Sequence, residues 1–488
     1  MNIKNMVKRM IKYLFCITAL YTVMGCNIFK KSDTGFSKQK EWNILFIAID
    51  DMNNWIGYNG GPALTPHIDK LASRSVHFTN AHCVVPACNP SRTAIWTGQR
   101  PETTGQYENK GNFRLNDGGQ LRVTLPQYLQ KIGYETIGAG KLFHFARGLQ
   151  EDANPISDPI SWNMQNKANG GITGDKKYLD EYGQAAWLDG AMRDEIKMND
   201  SGGYLSKSQV WGYADQKKEE SWDWKNAVFI ADYLKQDHGK PFFAACGISR
   251  PHAPFIAPKE YFDLYPLDKL KTPVRKTDDM QDIPDFAQTN FASRFVSLVE
   301  EKKQLLPAVQ GYLASMSFAD ACVGEILKGL ENSKYKDNTI VVLWSDHGFQ
   351  LGEKRRWEKY SLWNLATNAP FMVYIPNQKP TITKTQVSYI DLYPTILELL
   401  GENIPSYLEG KSFVEVLNNP KAKRTTPAVV TYPKGSHAVI LDNWHYIQYA
   451  DQSRELYDND KDPYQFKNLA KDFKYASLMN DLSKHIPK

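Results

Sequence analysis

The stretch Asn43-Ile-Leu-Phe-Ile-Ala-Ile49-Asp50-Asp51 determines the fold class that we predict for this chain of 488 residues. A short, unbroken apolar run is typical of a strand that is buried on both faces of a mainly parallel sheet. A second run, Thr339-Ile-Val-Val-Leu-Trp344, has the same character and leads into Ser345-Asp346-His347-Gly348. Open α/β sheets bind ligands at the carboxyl ends of their strands. We therefore expect an α/β fold whose functional groups follow these two strands.

Three carboxylates and one imidazole follow the two strands, at Asp50, Asp51, Asp346 and His347. Oxygen ligands select hard divalent cations such as calcium or magnesium. One interpretation is that these four side chains form a cage for one such cation. The alternative for Asp50-Asp51 is a solvated turn, where adjacent aspartates are common.

The rest of the sequence predicts a large mixed, mainly parallel sheet sandwiched by helices, because apolar runs alternate with capped, periodic segments. The predicted strands are 134–137, 241–246 and 370–376, and the predicted helices are 65–71, 125–132, 227–234, 313–330 and 391–400. Residues 146–220 and 266–290 have the composition of irregular loops. Short strands within 427–458 and a helix within 473–483 predict a small C-terminal antiparallel sheet with one helix.

The N-terminal residues have the features of an export signal. Basic residues precede an apolar run over 13–23 that is too short to span a bilayer, and Gly25-Cys26 follows. The pattern fits a bacterial lipoprotein signal that is cleaved before a lipidated Cys26, or else an ordinary secretory signal. We expect a signal peptide over 1–25, a tether over 26–40, a main domain over 41–405 and a C-terminal α+β subdomain over 406–488. The protein is then exported and lipid-anchored, in the periplasm or on the cell surface of a Gram-negative bacterium.

Composition limits the classes of partner. The chain is 42% apolar and 23% charged, which excludes disorder for most of it. A net charge of +5 is small for this length and does not indicate a nucleic-acid surface. Outside the leader, four scattered cysteines form no disulfide framework. We expect free, buried thiols at Cys83, Cys246 and Cys322, with a disulfide between two of them as the alternative.

The fourth cysteine begins the stretch Cys88-Asn-Pro-Ser-Arg92, which continues Thr93-Ala-Ile-Trp-Thr-Gly98. Pro90 suits a first helical turn, and we expect free backbone N–H groups there to face an anion. The alternative is a buried structural cysteine before a capped helix.

Three other segments carry cations or histidines. Gly138-Ala-Gly-Lys141-Leu-Phe-His144 and Gly247-Ile-Ser-Arg250-Pro-His252 each follow a predicted strand. The segment Glu353-Lys-Arg-Arg-Trp-Glu-Lys359-Tyr360 is densely basic, and its Arg355, Arg356 and Trp357 either contact substrate or serve the scaffold.

Taken together, these motifs resemble the type I, formylglycine-dependent sulfatases of the alkaline-phosphatase superfamily, from about residue 43 to about residue 469. Within them, the chain is most similar to the iduronate-2-sulfatase branch and its bacterial polysaccharide-sulfatase relatives, which also have histidine after the second-strand aspartate. Besides Cys88, Asp50-Asp51 and Asp346-His347, the matching stretches are Thr65-Pro-His-Ile-Asp69, Gly98-Gln-Arg-Pro-Glu-Thr-Thr104, Gly140-Lys-Leu-Phe-His144, Arg250-Pro-His-Ala-Pro-Phe255, Trp357-Glu-Lys359-Tyr-Ser361 and Glu455-Leu-Tyr-Asp458.

The resemblance implies a role for each matched residue. A maturation enzyme would convert Cys88 to formylglycine, whose hydrate attacks sulfate and forms a covalent sulfo-enzyme intermediate. The other implied roles are calcium binding by Asp50, Asp51, Asp346 and His347 with residue 88, sulfate binding by Lys141 and Lys359, support of the formylglycine diol by Arg92 and His144, and protonation of the leaving sugar oxygen by His252. His252 as a ligand or an orienting group is the alternative.

The implied activity is hydrolysis of sulfate esters on sulfated carbohydrates. One alternative is a phosphate or phosphonate ester hydrolase on the same fold, since both classes use a formylglycine nucleophile. The other is a non-catalytic, lipid-anchored receptor for sulfated glycans whose cysteine is never oxidised.

Overall fold

The computed structural model describes residues 42–144, 158–166, 203–204, 210–214 and 217–487. The signal peptide, the tether and Cys26 lie outside the described residues, as does most of the loop predicted over 146–220. The described strands are β1 (Asn43–Asp50), β2 (Val76–Phe78), β3 (Ala81–His82), β4 (Glu135–Gly140), β5 (Met164–Asn166), β6 (Gly203–Tyr204), β7 (Val210–Ala214), β8 (Phe242–Pro251), β9 (Phe255–Pro258), β10 (Thr339–Ser345), β11 (Gln350–Leu351), β12 (Trp357–Glu358), β13 (Phe371–Tyr374), β14 (Thr381–Thr383), β15 (Val387–Ser388), β16 (Ala428–Thr431), β17 (His437–Leu441), β18 (Trp444–Gln448) and β19 (Arg454–Asp458).

The described α-helices are α1 (Pro66–Ala72), α2 (Cys88–Thr97), α3 (Pro101–Thr104), α4 (Leu125–Lys131), α5 (Trp222–Leu234), α6 (Lys259–Phe262), α7 (Asp285–Phe291), α8 (Arg294–Glu301), α9 (Leu305–Glu331), α10 (Asn364–Thr367), α11 (Leu392–Leu399), α12 (Val414–Asn418) and α13 (Ala476–Ser483). The prediction of an irregular loop over 266–290 is wrong at its end, because α7 begins at Asp285. None of the described helices is long and apolar enough to cross a bilayer.

The central sheet confirms the predicted mixed, mainly parallel architecture. Its strand order is β14-β2-β13-β10-β1-β8-β4-β5. Strand β1 pairs in parallel with both β10 and β8, and only β13 runs against its neighbours β10 and β2. The two apolar runs recognised in the sequence are therefore adjacent central strands.

Strand register places the functional segments at one edge of this sheet. Ile49 is opposite Ser345 on β10, and Asp50 is opposite Pro251 on β8, after a register shift between Ile49 and Asp50. Because parallel strands end at the same edge, the residues that follow β1, β8 and β10 converge there.

Apolar side chains from alternate positions of β1 bury both faces of the sheet. Leu45, Ile47 and Ile49 pack into the core formed with α5 and α9. On the other face, Phe46 contacts Trp96 of α2, with ring centroids 5.9 Å apart. Helices thus cover both faces of the sheet, and α2 packs on the face opposite α5 and α9.

The C-terminal strands β16 to β19 form an antiparallel sheet in sequence order, and α13 packs against it. This confirms the predicted small sheet with one helix. The proposed domain boundary at 405 remains a prediction. The four cysteines of the described chain are free and buried, as expected for Cys83, Cys246 and Cys322.

Candidate active site

Helix α2 presents Cys88 to the site. Cys88 is its first residue, Ala87 before it is extended, and Gly98 ends the helix in the left-handed conformation at φ 65°. Every residue of α2 is buried. The prediction of free N–H groups at this helix start is wrong for Asn89, whose N–H donates to Asn109 Oδ1 at 3.0 Å.

Side-chain cations take the place of those N–H groups around the thiol. The Cys88 Sγ atom lies 3.0 Å from Lys359 Nζ, 3.5 Å from His347 Nε2 and 3.8 Å from Asp51 Oδ1. Burial opposes ionisation of the thiol, but the Lys141 and Lys359 ammonium groups outweigh it and hold the Cys88 pKa well below its ordinary value. The site therefore stabilises an anion at residue 88.

Each cation also contacts a carboxylate. Lys359 Nζ is 2.6 Å from Asp51 Oδ1, and Lys141 Nζ forms an ion pair with Asp50. Although burial disfavours both charged lysines, the adjacent carboxylates raise the pKa of each. Both lysines are thus held charged beside the thiol.

Arg92 serves the carboxylates more directly than it serves Cys88. Its Nε donates to Asp346 Oδ2 at 2.9 Å, and its terminal nitrogen donates to Asp50 Oδ1 at 3.2 Å. A further terminal nitrogen donates to the Lys141 carbonyl at 2.5 Å. All these groups are buried, so Arg92 fixes two strand ends and the Lys141 backbone relative to α2.

The three histidines differ in what their nitrogens can do. His347 Nδ1 donates to the Gly348 carbonyl at 2.9 Å, and His252 Nδ1 donates to the Ala253 carbonyl at 2.6 Å. In both rings this leaves Nε2 facing the site, as ligation or proton transfer requires. His144 hydrogen-bonds Cys88, and its Nδ1 has no hydrogen-bond partner among the described residues.

The donor atoms fall into two groups that share Cys88 and are compact enough for a metal ion. One group is Asp50, Asp51, Cys88 and His252, and the other is Cys88, Asp346 and His347. Three of the six residues are carboxylates, and oxygen ligands of this kind fit a hard cation such as calcium. The structure thus places the five predicted metal ligands in these two overlapping groups, with His252 beside the first of them.

Comparison with protein families identifies the chain. The sequence profile of the sulfatase family matches residues 42–402. The chain belongs to the sulfatase family. A second profile, described as N-sulphoglucosamine sulphohydrolase, C-terminal, matches residues 352–488 of this sulfatase.

Characterised sulfatases are similar over most of the chain. A sulfatase of Formosa agariphila is 36% identical over 489 residues, covering 96% of this chain and 92% of that protein. Mouse iduronate 2-sulfatase is 28% identical over 429 residues, covering 80% and 74%. This sulfatase is therefore a sulfuric ester hydrolase, and its match to the iduronate-2-sulfatase branch is a distant one.

Solved structures share the fold. One was determined with D-glucosamine-2-N,6-O-disulfate and has a TM-score of 0.66 at 20% identity, covering 91% of this sulfatase and 96% of that chain. The phosphonate monoester hydrolase of Agrobacterium radiobacter has a TM-score of 0.70 at 19% identity, covering 91% and 94%. Both confirm the alkaline-phosphatase-like fold.

Sequence reasoning missed two groups that hold this sulfatase's site. Asp223, buried on α5, accepts hydrogen bonds from the backbone N–H groups of Ser249 and Arg250 and so fixes the end of β8 just before His252. Tyr312 on α9 donates to the Asp51 carbonyl at 2.7 Å. Both residues lie just before the helices predicted over 227–234 and 313–330, and no sequence motif marked either of them.

Two residues of the basic segment serve the scaffold of the sulfatase. Trp357 is buried in the main core. Arg356 donates to the carbonyls of Lys359 and Phe291 at 2.6 and 2.7 Å. Arg355 donates to Ser297 Oγ at 2.9 Å, at the surface.

Proposed function

We propose that this sulfatase removes sulfate from sulfated glycans through a formylglycine made from Cys88, with calcium bound beside it. The observation that carries the proposal is the position of Cys88. It begins a buried helix, within reach of two lysines and of three carboxylates and a histidine from neighbouring strand ends.

Charge balance explains why a cation and an anionic substrate suit this site together. Asp50, Asp51 and Asp346 contribute three negative charges, and Arg92, Lys141 and Lys359 contribute three positive charges in direct contact with them. A divalent cation would add positive charge to this set of groups, which favours an anionic sulfate ester. Bound calcium would be held by Asp50, Asp51, Asp346, His347 and residue 88, and it would supply a positive charge close to the nucleophile.

The chain's own side chains provide the remaining chemistry. Lys141 and Lys359 hold sulfate oxygens and stabilise the charge that develops during sulfate transfer. Arg92 keeps Asp50 and Asp346 at their observed spacing, and His144 hydrogen-bonds residue 88. The His252 side chain is 25% exposed, with its Nε2 3.8 Å from Asp51 Oδ2, and it protonates the leaving sugar oxygen from the open side.

Relatives support a sulfated glycan as the substrate class. They include proteins named ulvan-active sulfatase and endo-4-O-sulfatase, at 25% identity each. The second candidate for the substrate class is phosphate or phosphonate esters, because this sulfatase shares its fold with a phosphonate monoester hydrolase. Turnover of aryl sulfate against aryl phosphate and phosphonate, at equal concentration, decides between the two.

We also propose that the protein is exported and held to the membrane by a lipid on Cys26, as the Gly25-Cys26 leader indicates. Labelling with a radioactive fatty acid tests this, and a Cys26→Ala variant that remains labelled would contradict it.

The deciding experiment is peptide mass spectrometry on protein from its native host. Trypsin releases residues 75–92, which contain both Cys83 and Cys88. We expect a mass loss corresponding to CH₂SH becoming CHO, placed at residue 88 by fragment ions. Cys83→Ala should keep the loss and Cys88→Ala should abolish it. Unmodified cysteine at 88 in folded, exported protein would favour the non-catalytic receptor.

A further inference from the structure

The segment that presents Lys359 has an unusual backbone. Between Gly352 and Tyr360, four non-glycine residues have left-handed conformations: Lys354 at φ 48°, Arg355 at 50°, Glu358 at 78° and Tyr360 at 70°. Such conformations cost free energy in residues with a Cβ atom, so they persist only where other contacts determine them. Contacts from outside the segment must therefore hold it in place.

The strongest contacts belong to Lys354. Its side chain is 1% exposed, and its Nζ lies 2.8 Å from Asp279 Oδ1 and donates to the Gln465 carbonyl at 2.6 Å. The rings of Trp363 and Tyr457 lie around the ammonium, with centroids at 5.4 and 5.5 Å. A buried lysine with this set of partners has a defined position.

Those partners come from distant parts of the chain. Asp279 lies in the loop before α7, and its Oδ2 has no hydrogen-bond partner among the described residues, so its charge depends on Lys354. Tyr457 lies in β19 of the C-terminal sheet, and Gln465 follows that strand. The Gln465 side chain accepts from the Asn364 N–H at 2.8 Å and donates to Asn459 Oδ1 at 3.0 Å. Lys354 thus joins its segment to the C-terminal sheet.

A short, bonded path leads from Lys354 to Lys359. Strands β11 and β12 pair Leu351 with Trp357 and so form a small hairpin around Lys354. At its end, Arg356 Nε donates to the Lys359 carbonyl at 2.6 Å. Lys359 Nζ lies 3.0 Å from Cys88 Sγ, so a shift of the hairpin would move the ammonium relative to the nucleophile.

We propose that Lys354 is a positioning residue through which the C-terminal sheet sets the place of Lys359 against the sulfate group. The proposal rests on the sulfate-binding role assigned to Lys359 above. A purely structural Lys354 would affect stability alone, whereas a positioning residue also affects the affinity for sulfate and the mobility of the 352–360 backbone.

The test uses the full chain with Lys354→Met and Asp279→Asn combined, because Lys354→Met alone would leave a buried carboxylate without its cation. Arg424→Met combined with Asp391→Asn is the matched control, because Arg424 and Asp391 form another buried ion pair, at 2.6 Å, outside this segment. Four quantities are measured: the melting temperature, kcat/KM for an aryl sulfate, the inhibition constant of inorganic sulfate with that substrate, and hydrogen exchange in peptides covering 350–362.

For the double variant we expect faster exchange within 350–362 and a kcat/KM for aryl sulfate lowered about 10- to 100-fold, as a misplacement near 1 Å produces. The inhibition constant of sulfate should rise by a similar factor. The control with Arg424→Met and Asp391→Asn should lower the melting temperature without changing the exchange within 350–362, kcat/KM or the inhibition constant.

The proposal would be overturned if the double variant exchanged hydrogen within 350–362 at the same rate as the wild type and was inhibited by sulfate with the same constant. If the wild-type enzyme shows no turnover of aryl sulfate, the proposed function has failed instead, and hydrogen exchange alone then decides whether Lys354 holds the segment.

Discussion

Replacing His445 with glutamine should make the protein less sensitive to acid. His445 lies in β18 and is fully buried. Its Nε2 donates to the carbonyl of Leu362 at 2.8 Å, and Leu362 lies three residues after Lys359. Its Nδ1 has no hydrogen-bond partner among the described residues. A second proton on this ring would therefore be buried without an acceptor.

The expected magnitude follows from the pKa. Burial lowers the pKa of His445 from 6.5 to about 4. The folded state thus favours the neutral ring, and this contribution to stability is complete above pH 6.5 and is lost as the pH falls towards 4. A shift of about 2.5 pKa units corresponds to ~3 kcal/mol of unfolding free energy lost by pH 4. Glutamine can still donate to the Leu362 carbonyl but does not titrate.

Urea unfolding at pH 7 and at pH 4 measures the difference. Other buried histidines also titrate, among them His82, whose ring lies 6.0 Å from that of His445, so the comparison is between wild type and His445→Gln. Between pH 7 and pH 4, the unfolding free energy of the wild type should fall by ~3 kcal/mol more than that of the variant. His485→Gln, at an exposed position, is the control and should follow wild type. Equal losses in wild type and His445→Gln would refute the reasoning.

Three further predictions concern the site. Lys141→Met and Lys359→Met should each lower kcat/KM for aryl sulfate about 10²- to 10³-fold, because each removes one donor that stabilises the transition state. The far-UV circular dichroism spectrum should stay unchanged, and a loss of activity below tenfold would contradict a role in sulfate binding. Gly247→Ala should reduce both activity and melting temperature, because a Cβ there would lie 2.0 Å from the Lys141 carbonyl oxygen, whereas Gly239→Ala, with open space around it, should change neither. Removal of calcium with a chelator should lower the melting temperature, and added calcium should restore it. At a calcium concentration a hundredfold above Kd, binding should raise the unfolding free energy by about 2.7 kcal/mol. A melting temperature that responds to neither treatment would argue against a structural calcium site.

Much of the site could be predicted because its residues sit in recognisable local patterns. Asp50, Asp51, Asp346 and His347 come at the ends of apolar strands, and Cys88 begins a helix that contains a proline in its first turn. Patterns of this kind depend on hydrogen bonding and burial within a few residues, which the sequence displays directly.

Other features of the site depend on contacts between distant residues. Asp223 and Ser249 are 26 residues apart, and Lys354 and Gln465 are 111 residues apart. Neither pair has a local signature, because burial and hydrogen bonding of this kind arise only when the chain has folded. The helix start at Cys88 illustrates the same limit: the sequence shows a helix N-terminus, but only packing against Asn109 reveals that its Asn89 N–H is already used.

The sequence by itself determined the fold class, the small C-terminal sheet and the residues that gather at the strand ends, because apolar periodicity and capping are local properties of the chain. Only the tertiary structure decided how those residues face one another. In a strand, successive side chains point to opposite faces, yet Asp50 and Asp51 both lie in one candidate ligand group. A register shift at Asp50 and the left-handed backbone of Asp51, at φ 63°, break that alternation, and both depend on how β1 packs between β8 and β10.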